Sequence, residues 1–211
     1  MDQFELLAYS RGAKMVAGID EAGRGPLAGP VVAAAVILPR GYKNQDIKDS
    51  KQLSSHKRNI LYDLIFEEAL AVGVGVIESS VIDQVNILRA TFMAMKDALA
   101  DLSTQPDFIL VDGNQRLPVA ISQKTIVKGD CLSISIAAAS IVAKVSRDRI
   151  MEMYHRQFPQ YDFLNNKGYG TARHRSALLQ YGPCKIHRCS FHCNKTGKTV
   201  VNAELDFGLH D

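Results

Sequence analysis

Two adjacent carboxylates followed by a glycine-rich segment are the residues of this chain best suited to chemistry. Asp20 and Glu21 come directly after the apolar segment 15–19 and precede the run Gly23-Arg24-Gly25. Because neighbouring side chains of a continuous strand point to opposite faces, we expect the strand to end here and the chain to turn. Carboxylate oxygens bind divalent cations, and glycines beside an arginine let the backbone approach a phosphate or a sugar. The run therefore indicates a phosphodiester-cleaving site.

Two further carboxylates have the same placement. Asp112 follows the short apolar segment 108–111, and Asp130 follows a strand-like segment at 123–127. In an open α/β sheet, ligands gather at the ends of the strands. Four carboxylates brought together there would repel one another unless cations lay between them, and two cations about 3.5–4 Å apart can stabilise the attacking and leaving oxygens of a phosphoryl displacement. An aspartate before a glycine is also ordinary turn chemistry, so spacing alone leaves open whether the four meet.

The elements that must position these side chains alternate between strand-like and helix-like patterns. Apolar or alternating segments bounded by Gly, Pro or Asp predict strands at 31–38, 71–77, 108–111 and 123–127. Apolar residues at helical spacing predict helices at 54–70, 79–102, 133–158 and 176–181. The interleaving indicates an α/β protein with a central sheet.

The composition is that of an ordinary globular protein. Of the 211 residues, 46% are hydrophobic and 22% are charged. The longest apolar stretch, 31–38, is far shorter than the ~20 residues of a membrane span, and residues 1–10 show no signal-peptide pattern. The four cysteines lack the density of a secreted disulfide framework, and no heptad or repeat suggests an oligomer. We therefore expect a cytoplasmic monomer with no membrane partner.

The charge is unevenly distributed. The formal net charge is only +3, but basic residues far outnumber acidic ones between positions 144 and 198. A basic C-terminal third favours a polyanionic partner, although a solvated basic helix face is an equally good interpretation of charge alone.

Longer segments resemble the ribonuclease HII family, the bacterial type 2 ribonucleases H. The matching segments are GIDEAGRGPLAGPVVAAAVIL at 18–38, DSKQLS at 49–54, VDG at 111–113, KGD at 128–130, SIAAASIVAKVSRDRIM at 135–151, NKGYGTARH at 166–174 and HRCSF at 187–191. The resemblance implies a ribonuclease H-like fold, with a central mixed β-sheet flanked by helices and a C-terminal helical extension. It also implies one catalytic domain over residues 1–211, in which residues from about 152 to 211 form a helical part that covers the substrate.

The same resemblance implies an activity and a set of site residues. Family members hydrolyse the RNA strand of RNA–DNA hybrids and nick 5′ to ribonucleotides embedded in duplex DNA, leaving 3′-hydroxyl and 5′-phosphate ends. They use Mg²⁺ or Mn²⁺, two cations per site, held by carboxylates that correspond to Asp20, Glu21, Asp112 and Asp130. The implied substrate-binding residues are Gly23, Arg24 and Gly25 for the ribose 2′-hydroxyl and Tyr169 for the RNA-to-DNA junction. Ser50 and Lys51 are candidate phosphate contacts by their chemistry, with an ordinary surface residue as the alternative interpretation of each. For Tyr169, a half-buried tyrosine in a Gly-Tyr-Gly turn is the alternative interpretation.

Two other functions are compatible with parts of this pattern. A ribonuclease H-like DNA-processing nuclease would also collect acidic residues on a sheet, but it has less need of the Gly-Arg-Gly loop together with Gly-Tyr-Gly. A non-catalytic hybrid-binding module gains nothing from clustered negative charge beside phosphates.

A cluster of cysteines and histidines near the C-terminus invites a zinc interpretation. Its members are Cys184, His187, Cys189, His192 and Cys193. Structural zinc sites show two ligand pairs joined by a longer loop, and this cluster has no second half. We expect His174 and His187 to be structural or to lie near phosphates, because two-metal hydrolysis needs no histidine base.

Overall fold

Five strands form one mixed sheet in the computed structural model, which describes residues 1–47, 50, 53–193 and 199–201. The strands are β1 Val16–Ala22, β2 Val31–Ile37, β3 Ala71–Ile77, β4 Phe108–Asp112 and β5 Ser122–Ile126. Their order in the sheet is β3-β2-β1-β4-β5. β2 runs antiparallel to β1 and β3, whereas β1, β4 and β5 are parallel to one another. The carboxyl ends of β1 and β4 therefore meet at the same edge of the sheet.

Helices cover both faces of this sheet. The helices are α1 Gln3–Ser10, α2 Ser55–Glu68, α3 Ser79–Val85, α4 Ile87–Ala100, α5 Ile134–Gln157, α6 Phe163–Asn166 and α7 Ala172–Tyr181. Along β2, Ala33 and Ala35 belong to the core shared with α4, while Ala34 and Val36 belong to the core shared with α2 and α5. Both faces of β2 are buried, which explains its unbroken run of apolar residues. Within the described ranges, none of the helices combines the length and apolar character that crossing a bilayer demands.

Glycines let α5 and α4 lie directly on the sheet. A Cβ on Gly18 of β1 would overlap the backbone of Ser135 in α5, and a Cβ on Gly75 of β3 would overlap the Ala94 carbonyl of α4. This close approach brings the middle of α5 beside the end of β1, where Asp20 lies.

Three predicted boundaries were wrong. The last helix was predicted to begin at residue 176 but begins at Ala172, where the Thr171 side chain caps it. The first strand does not end before Asp20; β1 continues to Ala22, because its residues 20–22 keep pairing with β2. The predicted helix 79–102 is two helices, α3 and α4, separated by Asn86, whose φ of 68° interrupts the helical backbone.

The C-terminal part is a small layer that packs on α5. It contains the end of α5, α6, α7 and an antiparallel pair of short strands, β6 Phe191–Cys193 and β7 Thr199–Val201. The strand pair and α1 have no counterpart in the sequence predictions. A local core of Met151, Tyr161, Phe163 and Ile186 joins this layer to Ala28 in the loop after β1. Residues 202–211, part of the predicted C-terminal extension, lie outside the described residues.

Candidate active site

A cavity of about 300 Å³ opens at the sheet edge where β1 and β4 end. Ile19 of β1 pairs with Val111 of β4, so the next residues, Asp20 and Asp112, lie side by side. The cavity is lined by Asp20, Glu21, Ala22, Gly23, Arg24, Gly25, Ser50, Asp112, Ser140, Lys144, Arg147 and Tyr169. One cavity thus joins three of the four predicted carboxylates to the glycine-rich loop and the predicted tyrosine.

Asp20 is the most buried of the carboxylates at the cavity, with 5% of its surface exposed. Its Oδ1 accepts a hydrogen bond from the Glu21 backbone N–H at 2.7 Å. Burial, followed by the charges of Glu21 and Asp112, holds the pKa of the Asp20 carboxyl well above its usual range. The site therefore contains more negative charge than the protein alone stabilises, which favours a cationic ligand.

Glu21 lies on the opposite face of β1 from Asp20, as the continuation of the strand requires. An Arg24 guanidinium nitrogen is 3.3 Å from its Oε1. Both carboxylates nevertheless line the same cavity, because the cavity lies at the end of the sheet and not over one face. The turn that the sequence predicted is not needed to bring them together.

Asp112 and Asp130 are connected through a backbone amide. Asp112 Oδ1 accepts a hydrogen bond from the Gly129 N–H at 2.7 Å. Gly129 begins the 3-10 turn Gly129–Cys131, in which Asp130 is buried. Asp130 is not among the described residues that line the cavity, but it follows Gly129, whose N–H contacts Asp112.

Arg188 holds the glycine-rich loop through backbone carbonyls. Its side chain is 2% exposed, and it donates to the oxygens of Gly23 at 2.6 Å, Arg24 at 2.9 Å and Gly29 at 3.0 and 2.8 Å. Burial lowers the pKa of this guanidinium to about 9. The carbonyl oxygens of Gly23, Arg24 and Gly29 are thus hydrogen-bonded inside the protein.

Arg147, on α5, holds the other end of the same loop. Its side chain is fully buried and donates to the carbonyls of Pro30 at 2.9 Å, Ala28 at 3.1 Å and Lys167 at 2.9 Å. Burial lowers the pKa of Arg147 to about 10. Sequence reasoning missed both arginines; the one available signal was that they lie within the segments 135–151 and 187–191 that resemble the family.

Tyr169 stands beside the loop with 48% of its surface exposed. A Cβ placed on Gly25 would lie 3.7 Å from Tyr169 Cε1, so the two positions are in contact range. The Leu27 N–H donates to the Gly168 carbonyl at 2.9 Å, which ties the tyrosine segment to the loop.

Of the predicted phosphate contacts, Ser50 lines the cavity but is buried, with its Oγ 2.8 Å from Ser140 Oγ. Lys51 lies outside the described residues. Lys144, which the predictions did not include, lines the cavity and pairs with Asp148 at 2.6 Å.

The donor set at the cavity fits a hard divalent cation. Asp20, Glu21 and Asp112 offer carboxylate oxygens, and the pKa of Asp20 is raised first by burial and then by the charges of the other two. In the part of the chain that the structure describes, no three His, Cys, Asp or Glu side chains are already gathered at metal-binding positions.

The cysteine and histidine cluster is built differently from a zinc site. His187 Nδ1 is 2.9 Å from the Cys184 backbone nitrogen and 3.2 Å from Cys184 Sγ, and His187 Nε2 faces His174 at 2.9 Å. The Cys189 N–H is bound by Asp83. The side chains of His192 and Cys193 lie outside the described part.

The mixed sheet, its flanking helices and the carboxylates at the ends of β1 and β4 define the class of ribonuclease H-like nucleases. The solved structure of the ribonuclease H2 from Pyrococcus horikoshii OT3 superimposes with a TM-score of 0.71 at 26% identity, covering 83% of this chain and 92% of that chain. The ribonuclease HII in a complex with PCNA from Archaeoglobus fulgidus superimposes with a TM-score of 0.72 at 25% identity, covering 86% and 97%. The predicted fold class is confirmed.

Sequence comparison identifies the family. The sequence model described as Ribonuclease HII matches residues 17–194. The Ribonuclease HII of Syntrophus aciditrophicus (strain SB) is 67% identical over 93% of this chain and 92% of that protein, and that of Geotalea daltonii is 57% identical over 90% and 88%. The chain belongs to the ribonuclease HII family: it is an endoribonuclease, a hydrolase that acts on RNA–DNA hybrids.

Proposed function

We propose that this ribonuclease H cleaves at the cavity between the ends of β1 and β4, both in RNA–DNA hybrids and 5′ to ribonucleotides embedded in duplex DNA. The observation that supports this most is that one cavity joins Asp20, Glu21 and Asp112 to the Gly23–Gly25 loop and Tyr169. Carboxylates supply the means of cutting, and the loop and tyrosine supply groups that can distinguish ribose from deoxyribose.

The carboxylates are proposed to hold two divalent cations, Mg²⁺ or Mn²⁺. The ligands would be Asp20, Glu21 and Asp112, with Asp130 from the turn behind Asp112. Such cations, when bound, activate the attacking water and stabilise the departing 3′-oxygen. Arg24, whose Nη1 lies 3.3 Å from Glu21 Oε1, is proposed to orient that carboxylate before the cations bind.

The glycine-rich loop is proposed to read the ribose 2′-hydroxyl through its backbone. Arg188 occupies the carbonyls of Gly23 and Arg24, so the loop offers N–H donors toward the cavity. A hydroxyl oxygen accepts such bonds, whereas a deoxyribose has no atom there. Lys144 is proposed to contact the adjacent phosphate, exchanging its Asp148 partner for it.

Tyr169 is proposed to test the next sugar. Its half-exposed ring lies beside Gly25 and presents a flat, rigid face where a sugar following the ribonucleotide would pack. A 2′-hydroxyl on that next sugar would disturb the packing, which would favour an RNA-to-DNA junction.

The layer from residue 152 onward would then cover the substrate, and we propose that the enzyme works as a monomer in the cytoplasm.

Substitution of the carboxylates tests the proposal. Asp20→Asn and Asp112→Asn should each lower cleavage by at least roughly a hundredfold, because loss of a metal ligand removes several kcal/mol of transition-state stabilisation. Both variants should keep their fold, since neutralising Asp20 relieves repulsion. Asp63→Asn is the matched control: this exposed aspartate of α2 does not line the cavity, and the variant should cleave normally.

The substrates separate the competing functions. Duplexes that carry no ribonucleotide, one ribonucleotide and a continuous RNA strand are compared with Mg²⁺ and with Mn²⁺. Cleavage of the all-DNA duplex would favour a DNA-processing nuclease, and unchanged cleavage by Asp20→Asn or Asp112→Asn would contradict the assigned site.

A further inference from the structure

Two buried histidines face each other outside the carboxylate cavity. His174 Nε2 and His187 Nε2 are 2.9 Å apart, a hydrogen-bonding distance that requires one nitrogen to carry a proton and the other to lack it. His174 is fully buried and His187 is nearly so. The rings of Tyr161 and Phe163 surround the pair, with centroids 4.9 Å from His187 and 5.4 Å from His174 respectively.

The outer nitrogens of the pair fix the direction of this bond. The Cys184 backbone N–H, which can only donate, is 2.9 Å from His187 Nδ1. The Tyr169 carbonyl oxygen, which can only accept, is 2.9 Å from His174 Nδ1. The Cys184 carbonyl is farther from His187 Nδ1, at 3.3 Å, and the Cys184 thiol at 3.2 Å is a weak donor. His187 therefore carries its proton on Nε2, and His174 carries its proton on Nδ1.

Both imidazoles are neutral in this arrangement. Burial lowers the pKa of His174, and burial together with His174 lowers the pKa of His187 to about 4. A second proton on either ring would place two donors against each other or against the Cys184 N–H. Every hydrogen bond in this series is satisfied when each imidazole carries one proton.

The series of hydrogen bonds ends at the backbone of Tyr169, which lies between Gly168 and Gly170. Gly168 has a φ of +86°, a conformation in which an ordinary side chain is strained. Local bonds hold the segment: the Tyr169 carbonyl also accepts from the Thr171 N–H at 2.8 Å, and the Tyr169 N–H donates to Asn166 at 2.8 Å. His174 bonds both the Tyr169 carbonyl and His187, and so connects this short segment to the residues that follow α7.

We propose that His187 and His174 are positioning residues, which pass a directed hydrogen-bond relay from the Cys184 backbone to the Tyr169 carbonyl and so hold the Tyr169 ring beside Gly25. This inference rests on the proposed function, because it assigns the relay an effect on the preference for RNA-to-DNA junctions. The histidines touch no reacting atom and act only through Tyr169.

Two amide variants of His174 separate the role in positioning from the role in packing. The amide nitrogen of Asn lies where His Nδ1 lies, so His174→Asn keeps a donor for the Tyr169 carbonyl. The amide of Gln reaches the Nε2 position, so His174→Gln keeps the contact with His187 and loses the one with Tyr169. Both variants lose the same ring packing.

The readout is the ratio of kcat/KM on a duplex with one embedded ribonucleotide to that on a continuous RNA–DNA hybrid. His174→Gln should lower this ratio roughly fivefold, the value of one hydrogen bond of about 1 kcal/mol. His174→Asn keeps the donor to Tyr169 but loses the contact with His187, so its ratio should lie between those of His174→Gln and the wild type. Equal ratios for the two variants would overturn the positioning role.

Imidazole ¹⁵N spectra of the unmodified protein provide a readout that requires neither activity nor a variant. The relay predicts the Nδ1–H tautomer for His174 and the Nε2–H tautomer for His187; the opposite tautomers would overturn it.

Tyr169→Ala separates the two proposals. If it leaves the substrate ratio unchanged, the role of Tyr169 in junction preference fails together with the relay's effect on it, while the tautomers still report whether the relay exists.

Discussion

At the scale of single residues, the loop after β1 contains two glycines with different surroundings. Gly23 has a φ of +98°, and a Cβ there would overlap the Arg147 side chain and lie 2.7 Å from the Pro30 carbonyl. A Cβ on Gly25 would meet only Tyr169, at an ordinary van der Waals distance of 3.7 Å. Gly23 is therefore needed for the fold of the loop, whereas the space at Gly25 would accept a Cβ beside the tyrosine.

Alanine at these two positions should therefore have different effects. Gly23→Ala should destabilise the protein by about 1–3 kcal/mol, through backbone strain and displacement of Arg147, and should also lower cleavage. Gly25→Ala should change stability by less than about 0.5 kcal/mol but still lower cleavage, because a methyl group would occupy the approach to the ribose. Urea denaturation and hybrid cleavage measure the two effects; equal loss of stability in both variants would contradict this account.

The residues of the site differ in how far sequence could predict them. Asp20 and Asp112 were accessible, because each follows an apolar segment that forms a strand, although β1 continues two residues beyond Asp20. Arg147 and Arg188 were not, because their partners are backbone carbonyls, which every residue has and no side-chain pattern reveals. The same reason hid the relay to the Tyr169 carbonyl.

At the scale of elements, the break at Asn86 shows what periodicity cannot reveal. The apolar spacing of residues 79–102 continues across the break, because α4 begins at Ile87, one residue after the interruption. The Asn86 side chain accepts a hydrogen bond from the Arg89 N–H at 3.1 Å and so caps the new helix. The extension of β1 to Ala22 was hidden for a related reason, since its pairing with β2 depends on tertiary contacts.

Asn86 offers a test of this cap and of its backbone conformation. Asn86→Ala should lower stability by about 1–2 kcal/mol, since alanine removes the cap and tolerates a positive φ poorly. Asn86→Gly should cost only a few tenths of a kcal/mol, because glycine adopts this backbone freely. Thermal unfolding measures both; a cost for glycine as large as that for alanine would show that the side-chain cap outweighs the backbone term.

At the scale of the whole molecule, the histidine pair couples the C-terminal part to pH. The pKa of His187 is about 4 in the folded protein, below the ordinary value of about 6.5 expected in the unfolded chain. Between these values the unfolded state binds more protons, so the contribution of His187 to stability is complete above about pH 6.5 and is lost as the pH falls toward 4.

Urea unfolding between about pH 7 and pH 5 measures this effect. The unfolding free energy should fall by roughly 1–3 kcal/mol on acidification, and His187→Gln should show a shallower fall than the wild type. His56→Gln, at an exposed histidine of α2, is the matched control and should keep the slope of the wild type. Identical slopes for all three proteins would exclude His187 as the source.

The bonds between Arg188 and the glycine-rich loop also determine when the site can first exist. Arg188 lies 165 residues after Gly23, whose carbonyl it holds. During synthesis the amino-terminal part of a chain emerges first, and contacts between distant residues form late. A growing chain therefore possesses all four carboxylates well before it possesses the arginine that fixes the loop. The loop that we propose to read the ribose is fixed only after Arg188 has been made.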